Sequence, residues 1–229
     1  MCKYTCEDVK NLYKEMERTK GAEAYRYISE VFEQAKAPHK EDFLRRNPDG
    51  IHEQSWHSFK GSCFEKILQY ILVRSIENLD LKVINGNRLD SRRLSQTLDA
   101  VKRNVLVNFG EFGMRLPDAD LVVYEPENSR VIAIISSKTS LAERVAQTGY
   151  WKLKLLESQN TEHIKVYLIT ADRGKKLTRL DPATKSRVIA EVELDGTYVL
   201  TTETLEESDK VKLFEHFIDD LKQVIKKSQ

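Results

Sequence analysis

The stretch from residue 115 to 147, RLPDADLVVYEPENSRVIAIISSKTSLAERVAQ, limits the fold of this chain more than any other. Two short β-branched runs, Asp120-Leu121-Val122-Val123-Tyr124 and Val131-Ile132-Ala133-Ile134-Ile135, flank the turn-forming Glu125-Pro126-Glu127-Asn128. Apolar runs of that length bounded by turn residues predict an antiparallel pair of buried strands. A buried hairpin needs elements on its faces, and the rest of the chain supplies mostly helices.

Before residue 36, Val9, Leu12, Tyr13, Met16 and then Tyr25, Tyr27, Ile28, Val31 and Phe32 recur at helical spacing, broken near Lys20-Gly21, which predicts two helices. Ala37-Pro38 to Asn47-Pro48-Asp49-Gly50, with Lys40, Arg45 and Arg46, predicts a partly exposed connection. A long helix follows, on the stripe Phe64, Ile67, Leu68, Ile71 and Leu72. Short apolar runs then surround the basic residues Arg88, Arg92, Arg93, Lys102 and Arg103, whose default reading is a solvated surface. Beyond Ser140, Leu141, Val145, Tyr150, Leu153 and Leu156 return to helical spacing, and Ile164 to Ile169 forms a further strand. The chain closes with Val188 to Val192, an Asp195-Gly196 turn, Tyr198 to Leu200, and an amphipathic helix from about Lys210 to Lys226. The order predicts an α/β fold with a central mixed sheet flanked by helices and a helical N-terminal region. At 229 residues, one domain is expected to bury roughly 70% of its unfolded surface. Its expected parts are a helical segment over about 1–50, a core over about 55–200 and a C-terminal helix over about 210–227.

Several classes are excluded on elementary grounds. No apolar run approaches the ~20 residues that span a bilayer, and MCKYTCEDVK is too charged for a signal peptide, so a cytoplasmic protein without membrane contact is expected. Cys2, Cys6 and Cys63 are odd in number and lack CxxC spacing, which predicts reduced thiols. With 37 Lys+Arg against 36 Asp+Glu, any polyanion must be held by local clusters. Neither a Gly-rich phosphate loop nor a GxSxG elbow occurs.

Chemistry concentrates at the hairpin ends. Asp118 opens one strand and Ser136-Ser137-Lys138 closes the next, with seventeen residues between Asp118 and Ser136. The turn brings them together, and strand alternation puts Ser136 and Lys138 on one face and Ser137 on the other. Phosphodiester hydrolysis uses such a set: carboxylates hold a hard divalent cation, and an ammonium orients water or neutralises phosphate. A second carboxylate is required, and the candidates are Glu65 and Glu143. Asp120 shares a face with Asp118; it is either a second ligand or a paired buried acid, and we favour the latter. Arg144 and Gln147, three residues apart on a helix, can donate to phosphate or base edges. The run Arg173-Gly174-Lys175-Lys176-Leu177-Thr178-Arg179 predicts a positive loop after a strand. Trp56 and Trp151 are expected in packing.

These residues resemble the PD-(D/E)XK nuclease superfamily, and within it the type II restriction endonucleases. The match consists of Pro117-Asp118, Ser136-Ser137-Lys138 with Thr139 through Arg144 and Gln147, and the block Gln54-Ser55-Trp56 through Gly61 to Phe64-Glu65. Ser136 stands where the usual motif has an acid, as in the Ser-x-Lys variant of enzymes that cut around a CCGG core. The resemblance implies a restriction-endonuclease-like fold and a Mg2+ site of Asp118 and Glu143 assisted by Glu65, with Lys138 and Ser136 in the catalytic motif. It further implies DNA contacts from Arg144, Gln147, Arg173, Lys175 and Lys176. Hydrolysis of double-stranded DNA at a short sequence, a homodimer and a companion DNA methyltransferase follow as expectations. The alternatives are a repair or mobile-element nuclease of the same fold and a DNA-binding module without catalysis.

Overall fold

The computed structural model describes residues 3–139, 141 and 144–226. Its centre is a six-stranded sheet in the order β1-β4-β5-β6-β7-β8. The strands are β1 (Lys82–Asn85), β4 (Leu121–Tyr124), β5 (Val131–Lys138), β6 (Lys165–Thr170), β7 (Gly196–Val199) and β8 (Val211–Leu213). The expected hairpin is present: β4 pairs antiparallel with β5, Leu121 opposite Ile135 and Val122 opposite Ile134. On its other side β5 runs parallel to β6, with Lys138 opposite Thr170, and β7 and β8 continue parallel. The sheet is therefore mixed, with β5 where the sense changes. A separate small hairpin joins β2 (Val107–Asn108) to β3 (Met114–Arg115).

Alternate residues of each central strand enter two cores. Leu121, Val123, Ile135, Tyr167 and Ile169 face helices α1 (Cys6–Lys20), α2 (Ile28–Arg46), α3 (His52–Ser75) and α7 (Phe217–Lys226). Val122, Ile134, Val166 and Leu168 face α4 (Gln96–Val105), α5 (Arg144–Leu156) and α6 (Lys185–Glu193). A strand apolar at every position is stable only when covered twice, which is why these runs do not alternate with polar residues. Among the described residues, no helix is long and apolar enough to cross a membrane.

Three sequence expectations need correction. Pro38 lies inside α2 instead of opening a connection. Burial of His39 and Asp42, with Arg46 donating to Asp42 at 2.7 Å, continues the helix past it; here packing outweighs the ring's local disruption. Lys210 precedes β8, so the last helix begins only at Phe217, while the run Val188–Val192, for which no type is predicted, belongs to α6. Finally, Cys6 and Cys63 form a disulfide, their Cα atoms 4.9 Å apart. Side-by-side packing of α1 and α3 makes that contact across 57 positions, which no local spacing rule detects. Cys2 lies outside the described residues.

Closing a loop of that length restricts the unfolded chain by about 4 kcal/mol in the chain-entropy treatment. Reduction by dithiothreitol should therefore lower the urea midpoint of the protein, and coincident curves with and without reductant would show that the bridge does not form in solution.

Candidate active site

Lys138 ends β5, the strand that carries most of the sheet's pairing. Its ammonium lies 2.8 Å from the Asp120 carboxylate. The same carboxylate oxygen accepts from the Ser137 backbone N–H at 2.5 Å and from the Ser137 hydroxyl at 3.3 Å. Asp120 is held for this by its own backbone: its N–H donates to the Ile135 carbonyl, and its carbonyl accepts from the Gly86 N–H, both at 3.0 Å. Gly86 must be glycine for that approach, since a Cβ there would sit 1.9 Å from the Ala119 carbonyl oxygen. Both charged side chains are mostly buried, so a missing partner would leave a charge in poor solvent.

Glu65 comes in from α3. Burial, then the Asp120 carboxylate, push it up to about 7, and Asp118 adds a smaller push. Lys138 and a hydrogen bond with Asn85 pull the other way. Glu65 and Lys138 together line an open cleft of about 440 Å³, whose other walls are His57, Ser58, Gly61 and Ser62 of α3, Ser137, Thr139 and Arg144. Asp118 stands exposed at the edge, its carboxylate accepting from the Gln147 side chain at 2.7 Å.

The structure thus brings Asp118, Asp120, Lys138, Glu65, Arg144 and Gln147 to one end of the sheet. Ser137, not Ser136, lines the cleft beside Lys138, although both serines are buried. Glu143 lies outside the described residues. The basic loop is elsewhere. Asp172 turns it by accepting from the Lys176 and Leu177 N–H groups, Arg173 pairs with Glu33, and Lys175 pairs with Glu203 at 3.0 Å. Arg173 and Lys175 line a different, smaller cavity of about 190 Å³. Trp56 is fully packed and Trp151 packs against the second core. The α3 wall residues were missed from sequence, although His57, Gly61 and Glu65 recur at intervals of four on the face away from the apolar stripe.

Two carboxylates and an ammonium gathered at one end of the sheet can serve hard-cation and phosphate chemistry. Residues 97–220 match the family model described as BsaWI restriction endonuclease type 2. The chain belongs to this family of type II restriction endonucleases. Family members of this class are site-specific deoxyribonucleases. MjaVIP of Methanocaldococcus jannaschii, whose name assigns it to the type II restriction enzymes, is 37% identical over 215 residues, covering 88% of this chain and 94% of that protein. HpyAORF263P of Helicobacter pylori, named in the same class, is 34% identical over 69% of this chain and 86% of its own length. In fold, the chain resembles AgeI in its specific DNA complex, with TM-score 0.54 and 16% identity over 93% of this chain and 91% of that one. It also resembles BsaWI in a pre-specific DNA complex, with TM-score 0.50 and 14% identity over 96% and 92%. The mixed sheet flanked by helices is the restriction-endonuclease fold expected from the motifs.

The raised Glu65 acid has a sign that can be checked. Between the ordinary carboxylate range and about 7 the folded state holds a proton that the unfolded state has lost, so stability falls as pH rises through that window. With solvent screening allowed for, the loss should be about 1–2 kcal/mol in EDTA. Urea titrations at pH 5 and pH 8 should show it in the wild type and not in Glu65→Gln; equal slopes in both would remove Glu65 from this charge cluster.

Proposed function

We propose that this chain is a Mg2+-dependent restriction endonuclease that hydrolyses double-stranded DNA at a short palindromic sequence and leaves 5′-phosphate ends. The observation that carries the reading is the Lys138 ammonium on the Asp120 carboxylate at the cleft that Glu65 lines. Among the described residues, no group of three His, Cys, Asp or Glu side chains is arranged to hold a metal ion. Mg2+ asks for less, since one or two carboxylates suffice when water and substrate phosphate fill the remaining positions. Glu65 and Asp120, crowded enough that one raises the other's pKa, fit a divalent cation, with Asp118 at the rim. Glu143 remains a candidate for the same role.

Bound there, Mg2+ would stabilise the charge that develops on the phosphate and favour deprotonation of the attacking water. Lys138 can hold that water by a hydrogen bond or neutralise a phosphate oxygen, and Asp120 fixes where its ammonium points. The Ser136-Ser137-Lys138 strand end sets the height of this group above the sheet. Arg144 on the cleft wall and Gln147 one turn on supply donors for the DNA backbone or base edges. Arg173, Lys175 and Lys176 contact DNA at a greater distance, Arg173 and Lys175 by exchanging Glu33 and Glu203 for phosphate. All 229 residues act as one nuclease domain in the cytoplasm. A palindrome is read by a two-fold symmetric protein, so the active species is a homodimer. A companion methyltransferase protects host DNA at the same sites.

Supercoiled plasmid incubated with the protein should give discrete fragments in Mg2+ and none in EDTA. Asp118→Ala and Lys138→Ala should each lower the cleavage rate by roughly a thousandfold or more, as loss of a group stabilising the transition state does, while DNA binding in EDTA stays within a few-fold. Shifted but uncut DNA would mean a binding module, a featureless smear would mean a nuclease without site preference, and full activity of either variant would reject the assigned roles.

A further inference from the structure

Arg92 and Arg93 stand exposed in the segment between β1 and α4, and no step of the proposed chemistry uses them. That segment is rooted at the cleft end of the sheet. Its first residue, Gly86, donates to the Asp120 carbonyl, and Asn85 just before it hydrogen-bonds Glu65. Leu89 is buried in the second core and pins the chain there. The Ser91 hydroxyl then closes a bend, donating to the Arg93 carbonyl and accepting from the Arg93 N–H, both at 3.3 Å. The other end of α4 is tied away from the cleft, because Asn104 donates to the Ser129 carbonyl in the β4–β5 turn at 2.8 Å. Helix α4 therefore runs from the cleft end of the sheet to the opposite end, and Arg92 and Arg93 precede its start. Arg88 is turned the other way, toward the Tyr124 phenol at the far end of β4.

We infer that Arg92 and Arg93, with Arg115, form a phosphate clamp on the α4–α5 side of the cleft, gripping the DNA backbone without reading bases; the inference rests on the nuclease reading above. Arg115 is exposed on β3, three residues before Asp118 at the cleft rim, in the hairpin that docks on α5 through Phe109 against Trp151. Arg144 opens α5 on the same side. Charge pairing separates this group from the cations on the α2–α3 side. There Arg173 is held by Glu33, Lys36 by Glu53 at 3.0 Å and Arg46 by Asp42 at 2.7 Å. Arg92, Arg93 and Arg115 have no acidic partner among the described residues. With a net charge of only +1, the chain attracts a polyanion where its cations are uncompensated. A paired cation must trade one anion for another, whereas a bare one gains the phosphate outright as counterions leave the DNA. Phosphate is the fitting occupant, because base readout needs a side chain fixed in direction and no other side chain holds these three guanidiniums.

Binding in EDTA, followed by fluorescence anisotropy over a series of KCl concentrations, tests the clamp without any cleavage. The probes are two short duplexes of equal length, one spanning a cut mapped on the plasmid and one of unrelated sequence. Each phosphate contact contributes about 0.9 to the slope of log affinity against log salt. Arg92→Ala/Arg93→Ala should therefore flatten the slope by about 2 on both duplexes, and Arg115→Ala by about 1. The charge-keeping Arg92→Lys/Arg93→Lys should restore most of the slope, which a merely structural role would not require. Arg103→Ala, near the far end of α4 and paired with Asp99 at 2.8 Å, should leave it unaltered. Unchanged slopes in the alanine variants, or a wild type that binds neither duplex, overturn the inference. A loss confined to the duplex with the cut overturns it too, and assigns these arginines to base reading. If plasmid stays intact in Mg2+ while the slope on the unrelated duplex shifts as expected, the nuclease reading fails and the clamp stands.

Discussion

An ammonium at the end of a strand buried on both faces is the constraint around which this fold is arranged. Lys138 follows seven buried residues of β5, and it tolerates that position because Asp120 meets it from the adjacent strand. Ion pairs of this kind add little net stability, because desolvation of both groups offsets their attraction. The pair is held by the ladder instead. Asp120 is fixed by bonds to Ile135 and Gly86, and Lys138 by its parallel register with Thr170. Charge is thereby placed at a cleft by backbone geometry, and it need not be recruited by flexible side chains.

The two faces of the sheet contribute different things to that cleft. On one side α3 runs past the strand ends and turns its polar face, His57 to Glu65, into the opening while Phe64, Ile67 and Leu68 enter the core. The disulfide at Cys63 ties this same helix to α1, so the element carrying Glu65 is anchored both by packing and covalently. On the other side α5 begins at the cleft with Arg144 and reaches back through Gln147 to Asp118. With the chain near neutrality, attraction for a polyanion has to come from such local placement of donors.

Much of this was legible in the residues, and the misses have specific physical causes. The hairpin, the long helix and the mixed sheet follow from apolar runs bounded by turn chemistry, which are local signals. Val188 to Val192 has no type legible in its residues, since β-branched residues favour strands in isolation, and burial of Arg187 and Ala190 at helical spacing decides for α6. Pro38 misled because packing outweighs its local disruption of the helix. At the site, Asp118 and Lys138 were legible from the hairpin, and Asp120 was expected as a paired acid. What spacing cannot give is the partner: Asp120 meets Lys138 and Asp118 meets Gln147, because the chain kinks between Pro117 and Ala119 before β4 begins.

The position of α5 has a consequence beyond the site itself. A helix that starts at the chemistry cannot shift against its sheet without moving Arg144 and Gln147. Val145, Leu155 and the Lys152–Asp195 ion pair at 2.7 Å oppose that shift, and the β2–β3 hairpin braces the helix through Phe109. Because that hairpin leads directly into Pro117-Asp118, both ends of the Gln147–Asp118 hydrogen bond stand on elements packed against one another. The rim of the cleft is therefore set by the packing of one helix and its brace as much as by the strand ends.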